Sequence, residues 1–462
     1  MRFGIVSCEG ASLWMAARLQ DEGNDVLVYY MPPKPMLTPE ERYIGEGIIN
    51  VAKTWEQFAT WARGGFNEPS AVAVFDSSDH GHKADELRAR GVAVIGSSVY
   101  CDRLEGDREY AFELAQACGM AIPKYHAFST VSDAIAWLRA RPADEEWFFK
   151  THRLLDASVT GGGDRARLTA RLTYVRAKYG DRIKNVLQEK IDGIAISTAG
   201  YWNGQTFLRP WEGTLERKES GNDDTGPKTG CSMNVVWFYP NETQIAREIH
   251  FDKLAEHLRK NYAPPGIYDI NAICSFTDGK VYFLEFTPRY GYDAEPTAQR
   301  LLDVPYGDFL FRLTEGTLPM APFTLERAAF SIRLAVPPYP FEVPYGVLPE
   351  RKSLFGLPLL GLDGLWAQRD RDRFIAYGVM ERDGGYALAD PSGLVGLASA
   401  VGTDLATMNA ACVKYAKGLG IADLSYRTDA GAALAKDLAA VRKAGFPTPR
   451  IDVRREETAA VG

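Results

Sequence analysis

Val281-Tyr-Phe-Leu-Glu-Phe-Thr-Pro-Arg-Tyr-Gly-Tyr-Asp-Ala-Glu-Pro296 is the stretch on which the reading of this chain turns. Its first six residues are apolar or aromatic apart from Glu285, which is the composition of a buried strand. A glutamate among Phe283, Leu284 and Phe286 needs a partner, because a buried carboxylate without one is costly. Glu285 and Thr287 stand two apart and so point to one side of the strand, where a carboxylate and a second oxygen can hold Mg²⁺. Arg289 follows at the strand's end, placed to meet phosphate oxygens in a fork. Just upstream, Asp278-Gly279 is a hairpin turn signal, so residues 267–275 read as the partner strand. Asp269 or Asn271 on that strand can complete the cation site.

Outward from this hairpin, residues 146–150, 185–190 and 194–201 read as further strands. Residues 108–118 are helical, ended by Gly119 with Pro123 just beyond, and helix signals run over 242–260. This is an α+β unit from about 104 to 327. Lys150 ends one of its apolar strands. A lysine there meets a nucleotide phosphate as a point charge, although a snorkelling strand-end lysine is the simpler account on spacing alone. Thr160-Gly-Gly-Gly-Asp164 reads as a flexible loop. Gly221-Asn-Asp-Asp-Thr-Gly-Pro-Lys-Thr-Gly-Cys-Ser-Met-Asn234 reads as a longer one, rich in backbone N–H groups and hydroxyls. Such a loop suits an anion or a reacting carboxylate, and long ordered loops are disproportionately functional.

The opening of the chain has a different rhythm. Short apolar runs at 3–6, 25–30, 71–75 and 92–95 alternate with helical stretches at 13–19 and 84–90. Strands alternating with helices predict a parallel sheet covered on both faces, a Rossmann-like α/β domain over residues 1–103. The turn after its first strand holds Gly10 in place of a G-x-G-x-x-G fingerprint, so dinucleotide binding has weak support. A third region, 328–431, opens with the breakers Pro337-Pro-Tyr-Pro340 and Pro344, continues in short strands and closes on a helix at 407–417. Residues 432–462 are one helical stretch (433–443) and a polar end.

Composition sets outer bounds. A chain of 462 residues predicts about three domains. A net charge of -7 argues against non-specific binding to nucleic acid or an anionic membrane, and no apolar run is long enough to span a bilayer. The chain enters directly into a strand, so no leader is expected. Six scattered cysteines without metal spacing fit a reducing, cytoplasmic setting as small core residues. His80-Gly-His82 is the one close histidine pair, read as part of a polar loop with too few further ligands for a metal.

In order along the chain, these segments resemble the phosphoribosylamine–glycine ligases, which belong to the ATP-grasp superfamily. Residues 93–107 resemble the family's "pVfGPs…lEgSK" passage, Phe148-Phe-Lys150 its "vvKadG", and residues 186–193 its "vviEeflEG" hinge. Asp224-Thr-Gly-Pro-Lys-Thr-Gly230 resembles "DTGPNTGGMG", Leu284-Glu-Phe-Thr-Pro-Arg-Tyr-Gly291 resembles "lEfNaRFGDPE", and Tyr426-Arg-Thr-Asp-Ala-Gly431 resembles "yRrDIG". The resemblance implies an α/β N-terminal Rossmann-like domain, an α+β ATP-grasp core with a lid at about 122–190, and a small β-rich C-terminal domain. It implies ATP bound by Lys150, Arg108 and the hinge residues Gln188, Glu189, Lys190 and Ile191. Mg²⁺ (or Mn²⁺) is implied at Glu285, with Thr287, Asp269 and Asn271 around it. The reacting centre is implied at Arg289 under Asp224, Thr225, Gly226, Lys228 and Thr229.

The chain departs from the family at substrate contacts. Its first turn reads Glu9-Gly-Ala-Ser-Leu13 where the family has "GGREH", Thr287 stands at the metal-ligand asparagine, and Ile194-Ala195 replace the acidic pair facing ribose. The expected function is ATP-dependent ligation of a glycine-like amino acid to an amine, in a monomer or homodimer. A different, modified-nucleotide amine or a catalytically weak ATP-binding relative are the alternatives.

Overall fold

The computed structural model describes residues 1–8, 10–31, 43–65, 68–151, 161–239, 242–341, 354–362, 372–390, 392–449 and 451. Glu9, Thr160, Pro344 and the polar end at 452–462 lie outside the described residues. Strands β1 (Arg2–Ser7), β2 (Asp25–Tyr30), β3 (Asn50–Val51), β4 (Val72–Phe75) and β5 (Ala93–Ile95) form a sheet in the order β3-β2-β1-β4-β5, parallel throughout. Its strands are continuously apolar because both faces are covered. Phe3 and Ile5 pack with Met15 and Leu19 on one side, while Val6 and Phe75 pack with Phe58 and Leu87 on the other. Gly10 follows β1 at φ +74°, and a Cβ there would lie 2.7 Å from Ile44 Cδ1, so this turn admits no side chain. His82 falls inside the helix Gly81–Ala89, so the histidine pair is not the loop expected.

Two short helices lead out of this domain. Ser98 caps Val99–Gly106, and Asp107 both ends that helix and caps Arg108–Ala117 through the Tyr110 N–H at 3.2 Å. A second sheet follows: β6 (Tyr125–Phe128), β7 (Trp147–Thr151), β8 (Gly161–Gly163) and β9 (Asn185–Glu189), antiparallel in the order β6-β9-β7-β8. Leu168, Leu172 and Val175 of the helix Arg165–Tyr179 pack on Phe149 and Leu187. The triple glycine expected as a loop is therefore a strand. It pairs with Trp147–Phe149, and Asp164 caps the following helix.

The remaining strands build one large antiparallel sheet. They are β10 (Gly193–Trp202), β11 (Phe207–Gly221), β12 (Thr225–Tyr239), β13 (Gly266–Ser275), β14 (Val281–Thr287), β15 (Ala328–Ala335), β16 (Phe374–Ala376) and, after a hairpin of β17 (Val379–Arg382) and β18 (Gly385–Leu388), β19 (Leu394–Gly402). Their order is β14-β13-β10-β11-β12-β15-β19-β16. The C-terminal β-rich unit thus adds strands to the core sheet, since β15 pairs directly with β12. The helix signals at 242–260 resolve into two helices, Gln244–Ile249 and Phe251–Lys260, broken at His250 in the left-handed region.

The largest correction concerns residues 221–234. In place of a long loop, β11 and β12 form a hairpin of two fifteen-residue strands turning at Asn222–Asp224. Glycine and proline misled the reading because the distal part of the hairpin is bulged, with register shifts at Arg217/Glu219 and Glu219/Gly221, and bulges accommodate both residues. Residues 231–239 are buried in the sheet, whereas 225–230 project as an exposed arm. All six cysteines are buried and none forms a disulfide. Among the described residues no helix is long and apolar enough to cross a membrane.

Candidate functional site

The hairpin β13–β14 sets the floor of the site. Its register places Asn271 opposite Glu285 and Asp269 opposite Thr287, so the four expected metal-site residues stand together. A bulge at this point turns Glu285 toward the cleft. Asn271 donates from Nδ2 to the Thr287 hydroxyl at 3.0 Å, and its Oδ1 lies 3.1 Å from Ser197 Oγ on β10. Thr287, only 8% exposed, therefore orients the amide. Ser197 Oγ lies 2.7 and 2.6 Å from the two Asp269 oxygens. Burial pushes Asp269 up to about 7, opposed by Ser197 and Arg289 and reinforced by Glu216.

Above this floor is a group of cations. Arg108 Nη1 donates to Glu285 Oε2 at 3.1 Å, and its Nε donates to the Thr151 carbonyl at 3.3 Å, so one side chain ties β14 of the core to β7 of the small sheet. Lys150 on β7 and Lys218 on β11 also face Glu285. Surrounding protein acts to raise the Glu285 carboxyl, yet Arg108, Lys150 and Lys218 overcome this and hold it at about 2. The side chain nevertheless keeps 39% of its exposure, through the open mouth of the cleft. Lys150 is pushed down to about 8, first by burial, with Glu285 opposing and Arg108 and Lys218 adding. Lys218 is held above the ordinary lysine value by Glu216, 3.4 Å away, against the pull of burial. Arg289 lies on the same side, its Nε 2.9 and 3.2 Å from the two Glu105 oxygens.

The donor set fits a hard divalent cation. It consists of oxygens only, from Glu285, Asp269 and Asn271. Among the described residues no group of three His, Cys, Asp or Glu side chains is placed to hold a metal ion by itself. Mg²⁺ characteristically takes one or two carboxylates and completes its shell with water and phosphate oxygens.

The other expected residues are distributed differently. Gln188 is 2% exposed within β9, and its Oε1 has no partner among the described residues. Glu189 ends β9, and Lys190 and Ile191 begin the connection to β10, with Glu189 paired to Lys124 at 3.5 Å and Lys190 to Glu146 at 2.5 Å. Asp224 joins a separate cluster. It pairs with Arg217 and with Arg427, the latter at 2.9 Å, while Arg427 also holds Asp429 at 2.7 Å and Arg217 holds Asp437 at 2.6 Å. Thr225 Oγ1 donates to the Asn222 carbonyl at 2.7 Å, which closes the turn. Gly226 follows at φ +80°. Lys228 pairs with Glu219 at 3.6 Å, and Thr229 Oγ1 donates to the Lys218 carbonyl at 3.0 Å.

The sequence reading missed Glu105, Ser197, Glu216 and Lys218. A signal existed for two of them. In the charged run Glu216-Arg-Lys-Glu219 the strand alternation puts Glu216 and Lys218 on one face and Arg217 on the other. Nothing local marked Glu105 or Ser197.

No protein-family model matches the chain. Phosphoribosylamine–glycine ligase from Streptomyces coelicolor is 23% identical over 353 residues, 76% of this chain and 80% of that protein. The enzyme of the same name from Mycobacterium leprae is 25% identical over 367 residues, with the same coverage of 76% and 80%. Among solved structures, phosphoribosylamine–glycine ligase from Thermotoga maritima aligns with a TM-score of 0.66 at 19% identity, covering 93% of this chain and 100% of that one. This is the ATP-grasp fold. An L-amino acid ligase from Bacillus licheniformis shares the ATP-grasp architecture at a TM-score of 0.57 and 14% identity, over 91% of this chain and 98% of that one. Within this fold the Glu285 cluster lies where the small sheet meets the core sheet. The chain is a distant relative of the phosphoribosylamine–glycine ligases and of other ATP-grasp ligases.

Proposed function

We propose that the chain is an ATP-dependent carboxylate–amine ligase working through an acyl phosphate. The observation that carries this is the gathering of cationic side chains around one ionised carboxylate at the junction of the two sheets, where Arg108 and Lys150 share Glu285. Arg108, Lys150 and Lys218 surround Glu285, with Arg289 beside them, and the small sheet approaches over the cluster. Cations that share one carboxylate suit a polyphosphate, whose oxygens give each of them a partner. In this reading Lys150, Lys218 and Arg108 hold the phosphates, while the segment Gln188–Ile191 holds the base. Glu285, Asn271 and Asp269 would hold Mg²⁺, which would supply charge neutralisation at the transferred phosphoryl group. Arg289 leaves Glu105 to fork onto the acyl phosphate, and the amine then displaces phosphate from the carbonyl carbon. Asp224 anchors the long hairpin through Arg427, and the exposed arm carrying Gly226, Lys228 and Thr229 closes over the substrate.

A specific feature favours an amine other than phosphoribosylamine. Ligands of parallel α/β sheets bind outside the carboxyl ends of the strands where the order reverses, here between β1 and β4. Asp76 at the end of β4 accepts from Ser7 Oγ at 2.6 Å, Ser12 Oγ at 2.5 Å and the Cys8 N–H at 3.0 Å. The donors that would cradle a phosphate are thus engaged by a built-in carboxylate. The acceptor of this reading is an unphosphorylated amine, and glycine is the first amino acid to test. The test is ADP release from purified protein with ATP, Mg²⁺, amino acids and amines. Amine-dependent release supports the ligase. Efficient turnover with phosphoribosylamine would overturn the choice of acceptor, and no release with any pair would leave an ATP-binding relative without ligase activity.

A further inference from the structure

A cleft of about 940 Å³ opens between the first-domain helix Leu13–Asp21, the segment around Arg300 and the C-terminal strands β16 and β19. It shares no residue with the Glu285 cluster. Its volume falls in the range of small-molecule sites, about 300–1,000 Å³.

The charge of this cleft runs against that of the chain. The whole protein carries -7, yet the described lining holds five cations, Arg18, Arg300, Arg327, Arg373 and Lys414, against the three carboxylates Asp21, Glu22 and Asp372. One of those carboxylates is already committed: Glu22 accepts from the Tyr306 and Gly307 N–H groups at 2.7 and 2.8 Å and from Arg18 Nε at 3.2 Å, so that Arg300, Arg327, Arg373 and Lys414 remain against Asp21 and Asp372. Arg18 and Arg300 repel one another, and Arg300 is pushed down to about 10, mainly by burial, with Asp372 opposing. Trp14, partly buried, lines the same wall, and Phe374 behind it is 6% exposed.

We propose that this cleft is a second binding site, for a small phosphate-bearing molecule with a planar ring. Arg327, Arg373 and Lys414 meet the phosphate, and Trp14 meets the ring. The site is independent of ligase activity, since neither ATP contacts nor the reacting centre enter it. Arg18 also donates to the Gln299 carbonyl at 2.8 Å, and Gln299 donates to Glu295 at 2.5 Å, so an occupant of the cleft touches the polar interior behind the core sheet.

The experiment is calorimetric titration of the full chain with phenyl phosphate and, separately, with inorganic phosphate. Three proteins are compared: wild type, the double variant Arg373→Glu/Lys414→Glu, and Lys150→Ala. Both reversed residues are exposed, and thermal unfolding checks that the double variant folds. The expected result is one phenyl phosphate site in wild type and in Lys150→Ala, weakened at least tenfold in the double variant, with inorganic phosphate binding more weakly. Absence of binding, equal binding in the folded double variant, or loss in Lys150→Ala would each overturn the proposal. Equal affinity for inorganic phosphate would overturn the ring-bearing ligand.

Discussion

Two clusters of charge sit on opposite faces of β11 near its Gly221 end, one through Glu216 and Lys218 and the other through Arg217, and they are built on different principles. At Glu285 the carboxylate is outnumbered: Arg108, Lys150 and Lys218 converge on it, and the cleft stays open to solvent. At Arg427 every charge has a fixed partner, two arginines holding three carboxylates. Its guanidinium is 1% exposed and binds Asp224 and Asp429, while Arg217 binds Asp224 and Asp437. A cluster whose charges are all paired internally needs no ligand, whereas Arg108 and Lys150 share the single carboxylate Glu285 and leave room for further negative charge. Both clusters contain residues of the same family-like motifs, so motif membership alone does not separate a candidate site from an anchor. Pairing and exposure distinguish them.

The sharpest way to break this contrast is Glu285→Gln. Turnover, measured as ADP release, is expected to fall by on the order of 10³-fold with the unfolding midpoint unchanged, because the cation loses its carboxylate. Retained activity would remove Glu285 from the site. Arg427→Ala should do the reverse. It should cost about 3 kcal/mol of stability in denaturant unfolding, at the low end for a buried pair because its partners reach water. If it folds with normal stability, the hairpin anchor is misassigned.

Next in size is Lys150→Ala, expected to weaken ATP binding by about 10- to 100-fold, one charge-assisted contact of roughly 1.5–3 kcal/mol. Lys150→Arg should restore part of it. Lys150 sits at about 8, below the ordinary lysine value, so its charge is lost as pH rises through 8. ATP affinity should therefore fall between pH 8 and 9.5 in wild type and stay flat in Lys150→Arg. The sign for stability is opposite: burying the charged lysine disfavours folding at low pH, and that cost disappears as pH rises past the unfolded value of about 10.4. The smallest effect is Asp224→Asn. Arg217 and Arg427 hold this carboxyl below its ordinary value against the upward pull of burial, so the pairing is lost as pH falls below about 4. With 39% side-chain exposure and solvent screening, the variant should cost about 1 kcal/mol or less. A large loss of turnover at unchanged stability would instead move Asp224 into the reacting centre.

The two hairpins show how far the sequence could be read. For β13–β14 every signal agreed: apolar strands, an Asp-Gly turn and a polar face at one end, so strand pairing and the grouping of Asp269, Asn271, Glu285 and Thr287 were legible. For β11–β12 the local signals conflicted. Gly221, Gly226, Pro227 and Gly230 argue for a loop, and only pairing along both strands plus docking of Asn222–Asp224 on Thr428 and Asp429 overrides them. The small sheet shows the same conflict, because Gly161–Gly163 holds a strand conformation by pairing with Trp147–Phe149.

By itself, then, the sequence determined what is local and periodic: the parallel α/β opening, the β13–β14 hairpin, and the helices whose caps and apolar faces are written within a dozen residues. The tertiary structure decided which charges meet. Arg108 reaches Glu285 across 177 residues, Glu105 reaches Arg289 across 184, and Arg427 reaches Asp224 across 203. Periodicity reports which face of an element a side chain occupies. Which other face it meets depends on sheet order, register and the bulges within them, and those are set by the packing of the whole chain.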